Sequence, residues 1–374
     1  MRFNVSSKTL YSFASAVSKI ISSRNAMQIL NNFLFELDGD TLSVTASDME
    51  NSLVGRLQVT DAEGSGSFCL DARRIVELLK EMPDQGITFD INDQNLELEI
   101  IYTNGHYNTV ALSGLEYPEH RKPAESDSIT FSCPSERIIK GVENTIFAVS
   151  TDEIRPQMMG ILWDVKPDRV VFVATDTRKL VKYVDGTVTP ECECSFILPV
   201  KGAQVIKNVF AKDDNVKITI TPVSAVFESD TYTFDCRLIK GTFPDYNRVI
   251  PTSNPYTFTA DRLSFLNAVR RVAVFGDDGG GLLKFSFEPS DVIIRASDTS
   301  LGTSGEEKVP CSYEGAALYM GFSSPYLVEI LSTFSSADIV MRLADPSRPA
   351  LFLPGETEPD TELQMILMPM NIGE

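Results

Sequence analysis

The stretch DRVVFVATD, residues 168–176, runs on as TRKL to residue 180 and decides the fold, because the chain writes it three times. Apolar residues in strand order lead to an aspartate that stands before a turn. DTLSVTASD at 40–48 and SDVIIRASD at 290–298 repeat the pattern, so Asp48, Asp176 and Asp298 hold one place. Alone, Asp176 between two threonines and ahead of two cations reads equally as a catalytic carboxylate, a metal corner or a tight turn. A catalytic aspartate is rarely needed three times in one chain. The triplication therefore favours a turn whose carboxylate accepts nearby backbone N–H groups.

The flanking sequence repeats with it. FNVSSKTLYSFASAVSKIISS, from Phe3, is a short strand followed by apolar residues at helical spacing (Leu10, Phe13, Ala14, Val17, Ile20). The same order returns from Phe131 and again from Phe258. Phe3 to Phe131 and Asp48 to Asp176 are both separated by 128 residues. Each unit has a second half of strand, helix and three strands, as in GSFCLDARRIVELLKEM with ITFDI, LELEI and YNTVAL. The expectation is an α+β fold of six β-α-β-β-β modules, paired into three domains at 1–123, 127–250 and 256–374. The polar, proline-bearing stretches EYPEHRKPAESDS and NRVIPTSNPY mark the joins.

Composition excludes several classes. With 374 residues, 43% hydrophobic and 23% charged, the chain is an ordinary globular one, long enough for more than one core. No apolar run approaches a membrane span and no signal-peptide core follows the start, so a cytoplasmic protein is expected. The two histidines, His106 and His120, leave little for imidazole-based catalysis. The six cysteines have no C-x-x-C spacing, and only Cys192 and Cys194 lie close together; reduced thiols and no metal are expected. No Walker loop, G-x-S-x-G or H-E-x-x-H occurs. The glycine run GDDGGGLL at 276–283 joins a helix pattern to a strand pattern and reads as a loop.

Charge is partitioned. The net charge is −19, yet the six helical windows (6–25, 71–82, 134–149, 199–212, 260–275 and 323–335) carry +3, 0, 0, +3, +2 and −1. They total +7, which leaves −26 for strands and loops. Repeated modules that gather such helices on one surface would attract a polyanion there and repel it elsewhere. A repeat scaffold that binds only proteins would share the modules, and an enzyme built on Asp48, Asp176 or Asp298 is the reading the triplication disfavours.

Several motifs then occur in order: RPQMMG at 155–160, VATDTRKL at 173–180, GTFPDYNRVIP at 241–251 and MPM at 368–370, with Arg24 and Arg73 at characteristic distances from the start. Through them the chain resembles the bacterial DNA polymerase III sliding clamp family over essentially its full length. The resemblance implies a head-to-tail homodimeric ring of six domains, helices inside and sheets outside. Such a ring has no catalysis and no cofactor; it encircles duplex DNA without sequence specificity and tethers the polymerase catalytic subunit, the clamp loader and other proteins bearing clamp-binding peptides. It assigns DNA contact to Arg24, Arg73, Asp152, Pro156, Gln157 and Lys201. The peptide pocket would be Met158, Thr175, Thr177, Arg178, Leu180, Pro244, Arg248, Val249, Leu367, Met368, Pro369 and Met370. Methionines suit an adaptable apolar surface for varied ligands. Thr177 and Arg178 stand where the family frequently has Gly-His, and Asn371 where a basic residue is common. Arg74, Tyr107 and Phe275 would lie at the subunit joint, with HYNTVAL as its edge strand.

Overall fold

The structure is a computed structural model that describes residues 1–22, 25, 27–118, 128–277 and 281–372. His120 and parts of the EYPEHRKPAESDS join and the glycine run lie outside the described residues, as does Arg24.

Six modules follow one another. Module one is β1 (Arg2–Ser6), α1 (Ser7–Val17), β2 (Asn32–Asp38), β3 (Thr41–Ser47) and β4 (Asn51–Gln58), trailed by the short β5 (Thr60–Glu63). Module two is β6 (Gly66–Asp71), α2 (Ala72–Glu81), β7 (Gly86–Ile91), β8 (Glu97–Tyr102) and β9 (Gly105–Val110), trailed by β10 (Leu112–Ser113). Module three is β11 (Ile129–Pro134), α3 (Ser135–Thr145), β12 (Gly160–Lys166), β13 (Arg169–Thr175) and β14 (Lys179–Asp185). Module four is β15 (Cys194–Pro199), α4 (Val200–Val209), β16 (Asn215–Ile220), β17 (Ser224–Glu228) and β18 (Tyr232–Arg237). Module five is β19 (Tyr256–Asp261), α5 (Arg262–Ala273), β20 (Leu282–Phe287), β21 (Asp291–Asp298) and β22 (Thr303–Pro310), trailed by β23 (Ser312–Glu314). Module six is β24 (Leu318–Ser323), α6 (Ser324–Thr333), β25 (Asp338–Leu343), β26 (Ala350–Pro354) and β27 (Thr361–Leu367).

Each first strand runs straight into its helix, and at α1, α2 and α5 the residue at the changeover caps it. Ser6 Oγ accepts from Thr9 N at 3.2 Å, Asp71 Oδ1 from Arg74 N at 2.8 Å and Asp261 Oδ1 from Ser264 N at 2.7 Å. These caps satisfy amides that a helix start leaves without intrahelical partners.

The modules exchange their first strands. β1 joins β7 rather than its own β2, β6 joins β2, and the same swap links β11 to β16, β15 to β12, β19 to β25 and β24 to β20. Each module of a consecutive pair thereby contributes its first strand to the other's sheet. Among the described residues four antiparallel sheets result, in the orders β5-β1-β7-β8-β9, β10-β6-β2-β3-β4-β18-β17-β16-β11, β15-β12-β13-β14-β27-β26-β25-β19-β23 and β22-β21-β20-β24. The nine-stranded sheets arise where β4 pairs β18, with Leu53 opposite Phe234, and where β14 pairs β27, with Val181 opposite Met365.

Two compact units emerge. One comprises Met1–Glu136 with Lys201–Leu238, and the other Arg137–Val200 with Ile239–Glu374. In the first unit Phe3 stacks on Phe89 at 5.0 Å and Phe35 on Phe68 at 5.2 Å, all fully buried. In the second, Trp163 meets Phe172 at 4.5 Å and Phe258 meets Phe265 at 5.2 Å. Helix α3 lies so close over β13 that a Cβ at Gly141 would come within 2.5 Å of the Phe172 ring. Among the described residues no helix is long and apolar enough to cross a membrane.

Candidate functional site

The hairpin of residues 175–180 builds one wall of a cavity of about 180 Å³, wholly within the second unit. Asp176 makes that turn: its Oδ1 accepts from Arg178 N and Lys179 N, both at 2.8 Å. Asp48 Oδ1 does the same for Glu50 N and Asn51 N at 3.0 and 2.7 Å, and Asp298 Oδ1 for Ser300 N and Leu301 N at 2.7 and 3.1 Å. The triplicated aspartate is therefore a turn device in every copy. Thr175 Oγ1 donates to Lys179 O and accepts from Thr177 N, which fixes the rim further.

Of the residues the sequence assigns to the pocket, Met158, Thr175, Thr177, Arg178, Leu180, Pro244, Val249 and Met368 line the cavity. Leu180 is buried beside its cross-strand partner Ile366, whereas Val249 and Met368 are 50% and 41% exposed at the mouth. Four others stand apart from the lining. Leu367 is fully buried between Lys179 and Ala350 in the sheet. Arg248 projects into solvent and pairs with Asp245 at 2.9 Å. Met370 bonds the backbone of Gly321 at 2.8 Å, and Pro369 lies between it and the lining Met368.

Sequence reasoning missed Lys179, Phe243, Asp245, Tyr246, Pro349 and Ile366, which complete the lining. Phe243, Asp245 and Tyr246 sit inside the quoted GTFPDYNRVIP, where a turn lets several neighbours face one way. Tyr246 is anchored by its hydroxyl to Asp164 at 2.9 Å, and burial pushes that phenol up to about 12. Ile366 was accessible only through strand pairing.

Lys179 is a heavily engaged cation. Its side chain is 5% exposed, and its Nζ bonds Glu329 of α6 at 2.7 Å and Asp176 Oδ2 at 3.2 Å, over the Tyr326 ring at 4.3 Å. Pairing of this kind is what a buried ammonium requires. Lys201 is engaged in a similar way in the first unit: Nζ donates to Asp48 Oδ2 at 2.5 Å and to Ile20 O at 2.6 Å. Burial opposes ionisation of Asp48, but the hydrogen bonds from Lys201 and Asn51 outweigh it and hold the carboxyl below its ordinary value.

The remaining predicted positions fall on separate elements. Arg73, on α2, is 86% exposed and pairs only with Glu77 at 2.8 Å among the described residues. Arg74 is exposed beside it. Asp152 accepts from Ile154 N and pairs with Arg155, while Pro156 and Gln157 form the 3-10 turn that ends at the lining residue Met158. Tyr107 on β9 stacks on Tyr102 at 5.3 Å and is 42% exposed; Phe275, just after α5, is 44% exposed. All six cysteines are free thiols, and burial pushes Cys69 and Cys194 up to about 12. Among the described residues no cluster of three His, Cys, Asp or Glu could hold a metal.

Repeated modules, carboxylates committed to turns and an apolar cleft with methionines in its lining define a protein of the clamp fold. Three family models match in succession: the N-terminal domain of the DNA polymerase III beta subunit at residues 1–121, its central domain at 132–245 and its C-terminal domain at 247–371. The Bacillus subtilis beta sliding clamp is 28% identical over 98% of this chain and 99% of its own length. That of Pseudomonas aeruginosa is 24% identical over the whole of both. Among solved structures, a P. aeruginosa sliding clamp bound to griselimycin superposes with a TM-score of 0.93 at 24% identity, and the Thermotoga maritima beta subunit with 0.91 at 22%, each covering both chains fully. The chain belongs to the DNA polymerase III beta subunit family, the bacterial sliding clamps. These are processivity factors and not catalytic subunits.

Proposed function

We propose that two copies of this chain close head to tail into a ring around duplex DNA, and that the ring tethers the replicative polymerase. The observation that carries the closure is a pair of open sheet edges. β9 ends the five-stranded sheet and β22 the four-stranded one, while the other two sheets have nine strands each. Pairing β9 of one copy with β22 of the next would make a third nine-stranded sheet and protect both edges. Exposed Tyr107 and Phe275 stand on or beside those edges.

The net positive helices would face the phosphates and the acidic remainder would face away. Phosphates repeat along any sequence, so contact with them permits sliding, and enclosure supplies retention. The resemblance assigns that contact to Arg24, Arg73, Lys201 and the Asp152, Pro156, Gln157 turn. The Leu180 pocket takes an extended peptide from the polymerase catalytic subunit, the clamp loader or other partners, apolar anchors inward. The modules pair into three domains, a reading the three family models support. Acting on the chromosome, the ring works in the cytoplasm. Light scattering at micromolar concentration tests the closure: a dimer is expected, and a monomer contradicts it.

A further inference from the structure

A lysine bridges two modules at both internal sheet junctions of this chain, from the helix in one and from the hairpin in the other. Where β4 meets β18, Asp48 of the module-one hairpin holds Lys201 of α4, and Lys201 also donates to the Ile20 carbonyl. Where β14 meets β27, Asp176 of the module-three hairpin holds Lys179, which reaches Glu329 of α6. In both, a lysine ties the hairpin aspartate of one module to the helix of the module whose last strand pairs with it.

The third hairpin has the aspartate but not the cation. Asp298 Oδ1 takes two backbone amides and the Ser300 hydroxyl, and no cation among the described residues pairs with its carboxylate. The repeat shows where one would come from. Arg73 precedes Lys201 by 128 residues, and each is the second residue of its helix, α2 or α4. Phe275 follows Ile20 by 255 residues, the separation of Phe258 from Phe3. Arg73 thus stands on module two, whose last strand is the open β9, and Asp298 and Phe275 stand on module five, whose last strand is the open β22.

We infer that Arg73, in place of the phosphate contact the resemblance assigns to it, closes the subunit joint by donating to Asp298 Oδ2 and the Phe275 carbonyl of the partner subunit, as Lys201 does to Asp48 and Ile20 within one chain. This rests on the two-copy ring proposed above. A guanidinium suits two acceptors on one side because its donors are forked. The exposed Glu77 pair that holds Arg73 meanwhile is of a weak kind, easily exchanged. The strand register follows from the internal joint. Phe234 opposite Leu53 becomes Tyr107 opposite Gly305 of the partner subunit. Gly305 is overlain by Phe275 of its own chain, whose ring lies 2.9 Å from where a Cβ would be, so that ring takes the place of the missing side chain against Tyr107.

The test is the dimer dissociation constant of the full chain, measured by sedimentation on dilution for the unaltered protein, Arg73→Gln, Asp298→Asn and the double variant. Asparagine keeps the Oδ1 acceptor, so the hairpin stays formed. Each single change should weaken the dimer on the order of tenfold, and the double change no more than either one. Arg73→Lys should retain most of the affinity, and Lys80→Gln, which removes a charge from the same helix, should leave it unchanged. Unaltered affinity in Arg73→Gln, or additive losses, would overturn the joint while leaving the ring standing. An unaltered protein that stays monomeric would overturn both.

Discussion

Thr177 holds φ at +78°, within a degree of Met49 at +77°, and the two residues occupy the same position of equivalent hairpins. Left-handed backbone is rare and costly for a β-branched residue. Thr177 nevertheless adopts it, because Asp176 commits the next two amides to its carboxylate. Thr177→Gly should therefore stabilise the protein by about 0.5 kcal/mol, the relieved strain being partly offset by glycine's greater unfolded-state entropy. Urea unfolding measures it, and a loss of stability would contradict the strain.

The buried ammonium of Lys179 should matter far more than the exposed guanidinium of Arg73. Lys179→Met removes the partner of Asp176 and Glu329 and should cost about 2–3 kcal/mol, whereas Arg73→Gln should cost less than about 0.5 kcal/mol. Both are read from unfolding of the isolated protein under conditions that keep it monomeric. Equal costs would show that burial does not govern the two pairs.

The pocket mouth can be altered without touching the core. Val249 is half exposed, so Val249→Asp should leave the unfolding midpoint within experimental scatter while weakening a clamp-binding peptide by more than about tenfold, through a charge set in an apolar cleft. Fluorescence anisotropy with a labelled peptide reports it. Unchanged peptide affinity would move the docking site elsewhere.

Asp48 gives the stability a defined dependence on pH. Its folded value lies below the ordinary 3.8, so its contribution is fully present above 3.8 and is lost as pH falls through the depressed value. The gap in unfolding free energy between the unaltered protein and Asp48→Asn should shrink on acidification through that range. A gap that stays constant would mean that the Lys201 pair adds nothing.

Much of this was legible in the sequence, because repetition separates structural residues from special ones. Asp48, Asp176 and Asp298 could be assigned to turns from their spacing, and the α+β modules from alternating strand and helix periods. The strand exchange was not legible: β1 has the same pattern whether it pairs with β2 or with β7, and only the packed body selects. Lys179 escaped because a lysine at a strand start ordinarily faces solvent, and its burial depends on Glu329 and Tyr326, about 150 residues on. Ile366 escaped because its place in the pocket is fixed only by pairing with Leu180.

Enclosure is the central claim, and one measurement addresses it most directly. The ring is loaded onto nicked circular DNA, half of which is then linearised by a single cut, and the protein retained on each form is followed with time. Encirclement predicts retention on the circle and rapid loss from the ends of the linear form. Equal loss from both would contradict it and leave a scaffold that binds only proteins.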